Sequence, residues 1–92
     1  MKRLTEEEII GTVNGIFSEV FEIDAARLVP EAKLIDDLGL DSLDAVDMMA
    51  SLQERFKVSL RNDERVRAVR TLGDIYALVR AIQDEAEETP SA

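Results

Sequence analysis

Ninety-two residues suffice for one small domain with a modest core. A net charge of −9, from eleven basic and twenty acidic side chains, argues against a nucleic-acid partner, whose phosphates need a basic surface. Without cysteine there are no disulfides, thiolate metal sites or thiol nucleophile, and without histidine the commonest general base is missing.

Phe17, Phe21, Phe56 and Tyr76 are the whole aromatic set, so the core must be aliphatic, which suits a small helical bundle. The N-terminus is charged rather than basic then apolar, and no apolar run approaches a membrane span. A soluble, cytoplasmic protein is therefore expected.

Thr5, followed by Glu6, Glu7 and Glu8, reads as a capping box opening helix I. Ile9, Ile10, Val13, Ile16, Phe17 and Val20 then recur at helical spacing. Gly11 and Gly15 either weaken this helix or allow close packing. Residues 22–41 read as a loop with turn residues Pro30 and Gly39. Leu28, Leu34, Ile35 and Leu38 punctuate it and should pin it to the core.

Asp41 reads as the N-cap of helix II, with Asp44 near the positive helix end, and the helix should run to about Phe56. Val58-Ser59-Leu60 leads into a brief helix around Asp63 to Val69, with Asp63 and Arg67 spaced to pair on a solvated face. Thr71, with Asp74 three residues later, opens the last helix, which carries Leu72, Ile75, Leu78, Val79 and Ile82. The acidic stretch from Asp84 should fray. The reading is all-α, a four-helix bundle of three main helices plus one short helix. It divides into a domain over residues 1–86 and a flexible acidic tail over 87–92.

Helix II has two apolar stripes. At about 100° per residue, Ala45, Met48, Met49, Leu52 and Phe56 form a stripe wide enough to be the core face. Leu43, Val46 and Ala50 lie elsewhere, beside Asp44, Asp47 and Glu54. They either pack against the preceding loop or form a docking patch with an apolar centre and acidic rim.

The run Asp36-Asp37-Leu38-Gly39-Leu40-Asp41-Ser42-Leu43-Asp44 places one serine at a helix start among carboxylates. With no histidine to activate it, such a serine is better suited to being modified than to attacking. The segment Leu34 to Leu60 resembles the acyl carrier proteins, whose signature is Asp-Leu-Gly-x-Asp-Ser-Leu followed by an acidic amphipathic helix. Helix order and spacing extend the resemblance along nearly the whole chain, but only this central third is specific.

The resemblance implies a discrete carrier, not an enzyme, with 4′-phosphopantetheine attached to Ser42 by a phosphopantetheinyl transferase that uses coenzyme A and Mg²⁺. The arm's thiol would carry acyl intermediates as thioesters between enzymes of fatty acid, polyketide or related lipid synthesis. Asp37, Asp41, Leu43, Asp44, Val46, Asp47 and Glu54 would then meet partners with basic docking patches. Met48, Met49, Leu52, Ile75, Leu78 and Val79 are the candidates to line an acyl pocket. Gly39 would allow the tight turn before the serine.

Two departures stand out. Helix II ends in Gln53-Glu54-Arg55, less acidic than the family pattern, and Leu60 to Arg70 holds four arginines against two acids. The arginines suggest altered partner choice, as in a specialised-pathway member, with charge reversal at Arg61 and Arg65 as the test. Alternatives are an interaction domain without a prosthetic group and a peptidyl or D-alanyl carrier. A carboxylate enzyme and a calcium module are disfavoured, the latter because Gly39 and the acids miss the EF-hand register.

Overall fold

The computed structural model describes residues 4–60 and 63–88. Three α-helices carry the architecture: α1 (Glu6–Val20), α2 (Ser42–Phe56) and α3 (Leu72–Glu88). The short helix of the sequence reading is present as a 3₁₀ helix, Glu64–Ala68, and a second 3₁₀ turn, Ala25–Arg27, lies in the long loop. The latter was missed, although Asp24 caps it by accepting the Ala26 N–H at 3.1 Å.

The capping box of α1 forms as expected: Thr5 Oγ1 accepts from Glu8 N at 3.1 Å, and Glu8 Oε1 accepts from Thr5 N at 2.8 Å. Each satisfies an amide that has no partner within the helix. The buried face is Ile9, Val13, Ile16 and Phe17. That stripe is narrower than the sequence suggested, since Ile10 is half-buried and Val20 is exposed. A side chain built at Gly11 or Gly15 would have no neighbour within 4 Å. The two glycines therefore weaken α1 rather than serve close packing.

Leu28, Leu34 and Leu38 pin the loop to the core, joined by Ile23, Ala32 and Leu40. Ile35 corrects the reading: it is 69 % exposed. The loop is also stitched to the start of α3. Leu34 N donates to Arg70 O and Leu72 N to Ala32 O, both at 3.0 Å, around an antiparallel bridge between Lys33 and Thr71. Gly73 suits this close approach, because a Cβ on it would stand a tight 3.1 Å from the Pro30 carbonyl oxygen.

Helix α2 buries Met48, Leu52 and Phe56 and stops at Lys57, whose φ of 56° is left-handed. The Gln53 side chain then accepts from Leu60 N at 2.7 Å and guides the exit from the helix. Ala45, assigned to the core stripe, is instead exposed, and Met49 is half-buried.

At the start of α3, Asp74 Oδ2 accepts from Arg70 N at 2.9 Å and Thr71 N at 3.1 Å, while Thr71 Oγ1 accepts from Asp74 N at 3.2 Å. The bonds from the Arg70 and Thr71 amides hold the Asp74 carboxyl below the usual carboxylate range. The helix continues through Glu88, beyond the point where fraying was expected, while residues 89–92 of the expected tail lie outside the described residues.

Candidate functional site

The geometry around Ser42 is built from the loop that precedes it. Buried Leu38 and Leu40 grip the core on either side of Gly39, whose φ of 72° reverses the chain between them. Asp37 Oδ2 accepts from Lys33 N at 2.8 Å, and Arg27 Nη2 donates to the Asp37 carbonyl oxygen. Asp37 therefore spends one carboxylate oxygen on holding the loop, and its side chain stays exposed.

Asp41 is the N-cap of α2. Its Oδ1 accepts from Asp44 N at 2.9 Å, and Asp44 Oδ2 accepts from Asp41 N at 3.3 Å. These two carboxylates close the helix end between them. Ser42 is the first residue of α2 and is exposed, so its hydroxyl is not needed as a cap. The site thus presents a serine oxygen at the positive end of a fifteen-residue helix, where an attached anion is favoured.

The outer face of α2 carries Leu43 and Val46, 76 % and 64 % exposed. The alternative in which they pack against the preceding loop is overturned by that exposure. Asp47, Ala50 and Glu54 are exposed on the same side, whereas Asp44 is half-buried by its capping role. Toward the far end, Arg55 leaves this face and pairs with Glu19 of α1 at 2.9 Å.

Between α2, the 3₁₀ helix Glu64–Ala68 and α3 lies a cleft of about 560 Å³. Met48, Met49, Leu52, Ile75 and Leu78 line it, whereas Val79 is buried in the core and does not reach it. Ser42 and Asp41 stand at the same cleft. Sequence reasoning missed Ile35, Ala45, Val66 and Val69 in its walls. Ala45 could have been found, since it sits one turn after Ser42; Val66 and Val69 lie too far along the chain for a local pattern to place them.

The basic segment divides in two. The expected pair of Asp63 with Arg67 does not form, because a 3₁₀ helix aligns residues three apart rather than four. Asp63 instead caps this helix and pairs with Arg65 at 2.6 Å, and Arg65 also meets Glu85 at 2.6 Å. Bonding to both acids raises the Arg65 guanidinium pKa, and the Arg65 side chain holds the Asp63 carboxyl low. Arg67 and Arg70 are exposed, and Arg61 lies outside the described residues.

Residues 12–79 match the family model described as phosphopantetheine attachment site. Acyl carrier protein 2 of Ralstonia nicotianae is 43 % identical over 79 residues, which span 86 % of this chain and 96 % of that one. The chain belongs to the acyl carrier protein family. An acyl carrier protein of Thermotoga maritima is 40 % identical over 82 % of this chain and 91 % of its own. The meromycolate extension acyl carrier protein of Mycobacterium bovis is 33 % identical over 97 % of this chain and 76 % of its own. Among solved structures, the acyl carrier protein of Enterococcus faecalis superposes with a TM-score of 0.70 at 25 % identity, covering 86 % of this chain and 99 % of that one.

The carrier therefore bears 4′-phosphopantetheine and serves fatty acid or related lipid synthesis, working with a phosphopantetheinyl transferase and acyl-handling enzymes. It is not itself an enzyme. No helix among the described residues is long and apolar enough to cross a membrane.

Proposed function

We propose that Ser42 is the attachment residue, that the outer face of α2 is the docking surface, and that the cleft beside Ser42 shelters the cargo. One observation carries this reading. The Ser42 hydroxyl is exposed at the helix start, freed from capping by Asp41 and Asp44, and stands at the mouth of a largely apolar cleft. These residues fit the prosthetic group: an exposed oxygen to bear its phosphate, a positive helix end beside that phosphate, and an apolar trough for what the arm carries. When bound, the group supplies a terminal thiol that holds acyl cargo as thioesters.

Asp41 and Asp44 lie close to the position of that phosphate, and their repulsion offsets part of the helix-end attraction, which is worth about 0.3–1 kcal/mol. Their benefit is recognition. With Asp37, Asp47 and Glu54 they surround Leu43 and Val46, an apolar centre with an anionic rim suited to a basic-rimmed groove. Exposed carboxylates speed encounter, and two apolar side chains add little affinity, which suits a monomer that makes brief serial contacts in the cytoplasm. Met48, Met49, Leu52, Ile75 and Leu78 give the cargo apolar surface, with Val79 supporting them from the core. Arg67 and Arg70 are exposed cations, Arg70 at the same cleft as Ser42, and they bias the choice of partner.

The assignment is tested by replacing Ser18, Ser42, Ser51 and Ser59 with alanine one at a time and supplying a promiscuous transferase, Mg²⁺ and fluorescent coenzyme A. Labelling should vanish only in Ser42→Ala. Labelling that survives there, or disappears with another serine, would move the arm elsewhere.

A further inference from the structure

The cleft has walls of unequal stiffness. On α2 and α3 its lining includes Met48, Leu52 and Ile75, which are all but fully buried and fixed by the core. The loop over residues 33–41 forms a second side through Leu34, Ile35 and Leu40, and the last side is the segment of the 3₁₀ helix Glu64–Ala68, which contributes Val66, with Val69 just beyond it. That helix has no fully buried residue, and both valines are only half-buried. Apolar anchors flank it at Leu60 and Leu72, and Val66 and Val69 pack against the core only from its edge, which leaves this side the most compliant.

Beyond that edge packing, a polar tie from this wall to α3 runs through Arg65. Its Nε and Nη2 meet Asp63 Oδ1 and Oδ2 at 2.9 and 2.6 Å, and its Nη1 and Nη2 meet Glu85 Oε2 and Oε1 at 2.6 and 3.1 Å. The planar guanidinium is thus engaged in paired fashion by two carboxylates, one at the cap of the 3₁₀ helix and one on α3. The element could gain an ordinary surface pair from any neighbouring acid. Here one arginine, 43 % exposed and paired to a 58 % exposed Glu85, joins the start of the compliant wall to α3 through two carboxylates at once.

We propose that Arg65 is a positioning residue that sets which acyl chains the cleft accepts, by holding the valine wall against α3. This rests on the reading of the cleft as the cargo shelter. With the tether closed, the wall is ordered in advance and short chains gain full contact with it. A longer or bulkier chain must push the wall outward and loosen the tether. Without the tether the wall yields easily, so long chains enter at less cost, but short chains must order a mobile wall and gain less.

The test loads the carrier from butyryl-, octanoyl-, dodecanoyl- and hexadecanoyl-coenzyme A with a promiscuous transferase, checks each product by mass, and measures its thermal midpoint against the holo form. In the parent, stabilisation should rise with chain length and level off. In Arg65→Met, which keeps the side-chain stem, the levelling should shift to a longer chain and the gain from butyryl should fall. Arg65→Lys should lie between, and Glu85→Gln repeats the test from the α3 side should Arg65→Met fold poorly. Amide exchange supplies the second readout: protection at Val66 and Val69 should fall a few-fold in Arg65→Met while that of Leu52 and Val79 stays. A profile that drops in parallel at every chain length, or unchanged protection at Val66 and Val69, would overturn the proposal. If no chain stabilises the parent, the shelter itself is refuted and the inference with it; amide exchange would still show whether the tether holds the wall.

Discussion

Leu43 and Val46 should matter for docking and hardly at all for folding. In the free carrier they are 76 % and 64 % exposed, so most of their surface is never taken from water on folding. Truncating either to alanine should therefore change stability by no more than about 0.5 kcal/mol, the usual range for surface substitutions. Fully burying such a side chain is worth about 1.5–3 kcal/mol. Allowing for the part already covered and for the methyl group that alanine keeps, each truncation should cost a docked complex about 1 kcal/mol. That corresponds to about fivefold in kcat/KM for the transferase. The assay is the rate of labelling from fluorescent coenzyme A for Leu43→Ala, Val46→Ala and the double variant, beside urea melts of each. Unchanged rates together with a clear loss of stability would refute the docking argument, because the two residues would then be acting in the fold.

Other outcomes follow from single positions. Gly39→Ala should destabilise by about 1–2 kcal/mol from its positive φ, since a Cβ there meets no neighbour within 4 Å, whereas Gly11→Ala in α1 should stabilise by about 0.5–1 kcal/mol. Thermal melts of the pair should move in opposite directions. Asp47→Lys should slow transfer without loss of helical signal, while Asp44→Lys should do both because it breaks the cap of α2; Arg67→Glu should change the rate with some acyl-handling enzyme. Asp74, whose carboxyl is held low by amide bonds, stabilises the folded state above the ordinary carboxylate range. That advantage over Asp74→Asn should shrink as the pH falls below about 4 and vanish once the folded carboxyl is protonated. A gap between the two proteins that does not narrow in acid would contradict this.

Much of the fold was legible because its signals are local. Thr5 with Glu8, and Asp41 with Asp44, are reciprocal caps spaced three residues apart, so the starts of α1 and α2 could be read directly. Helical spacing likewise revealed the two faces of α2. The errors arose where tertiary geometry decides. Ile35 has the composition of a core residue but sits one position after Leu34 in a loop hydrogen-bonded to Arg70, and its neighbour takes the inward place. Arg65, rather than Arg67, pairs with Asp63 because the Asp63 carboxylate turns onto Arg65 N as the helix cap, and the second partner, Glu85, is twenty residues away. The serine and the α2 part of the cleft were readable; the wall at Val66 and Val69 required the chain to fold back.

The most direct measurement is the intact mass of the carrier after incubation with coenzyme A, Mg²⁺ and a phosphopantetheinyl transferase, taken alongside Ser42→Ala. A gain of one phosphopantetheine in the parent and none in the folded variant is the result expected here. A parent that stays at its starting mass with several transferases, or a Ser42→Ala protein that gains the arm, would contradict the assignment of Ser42 as the point of attachment.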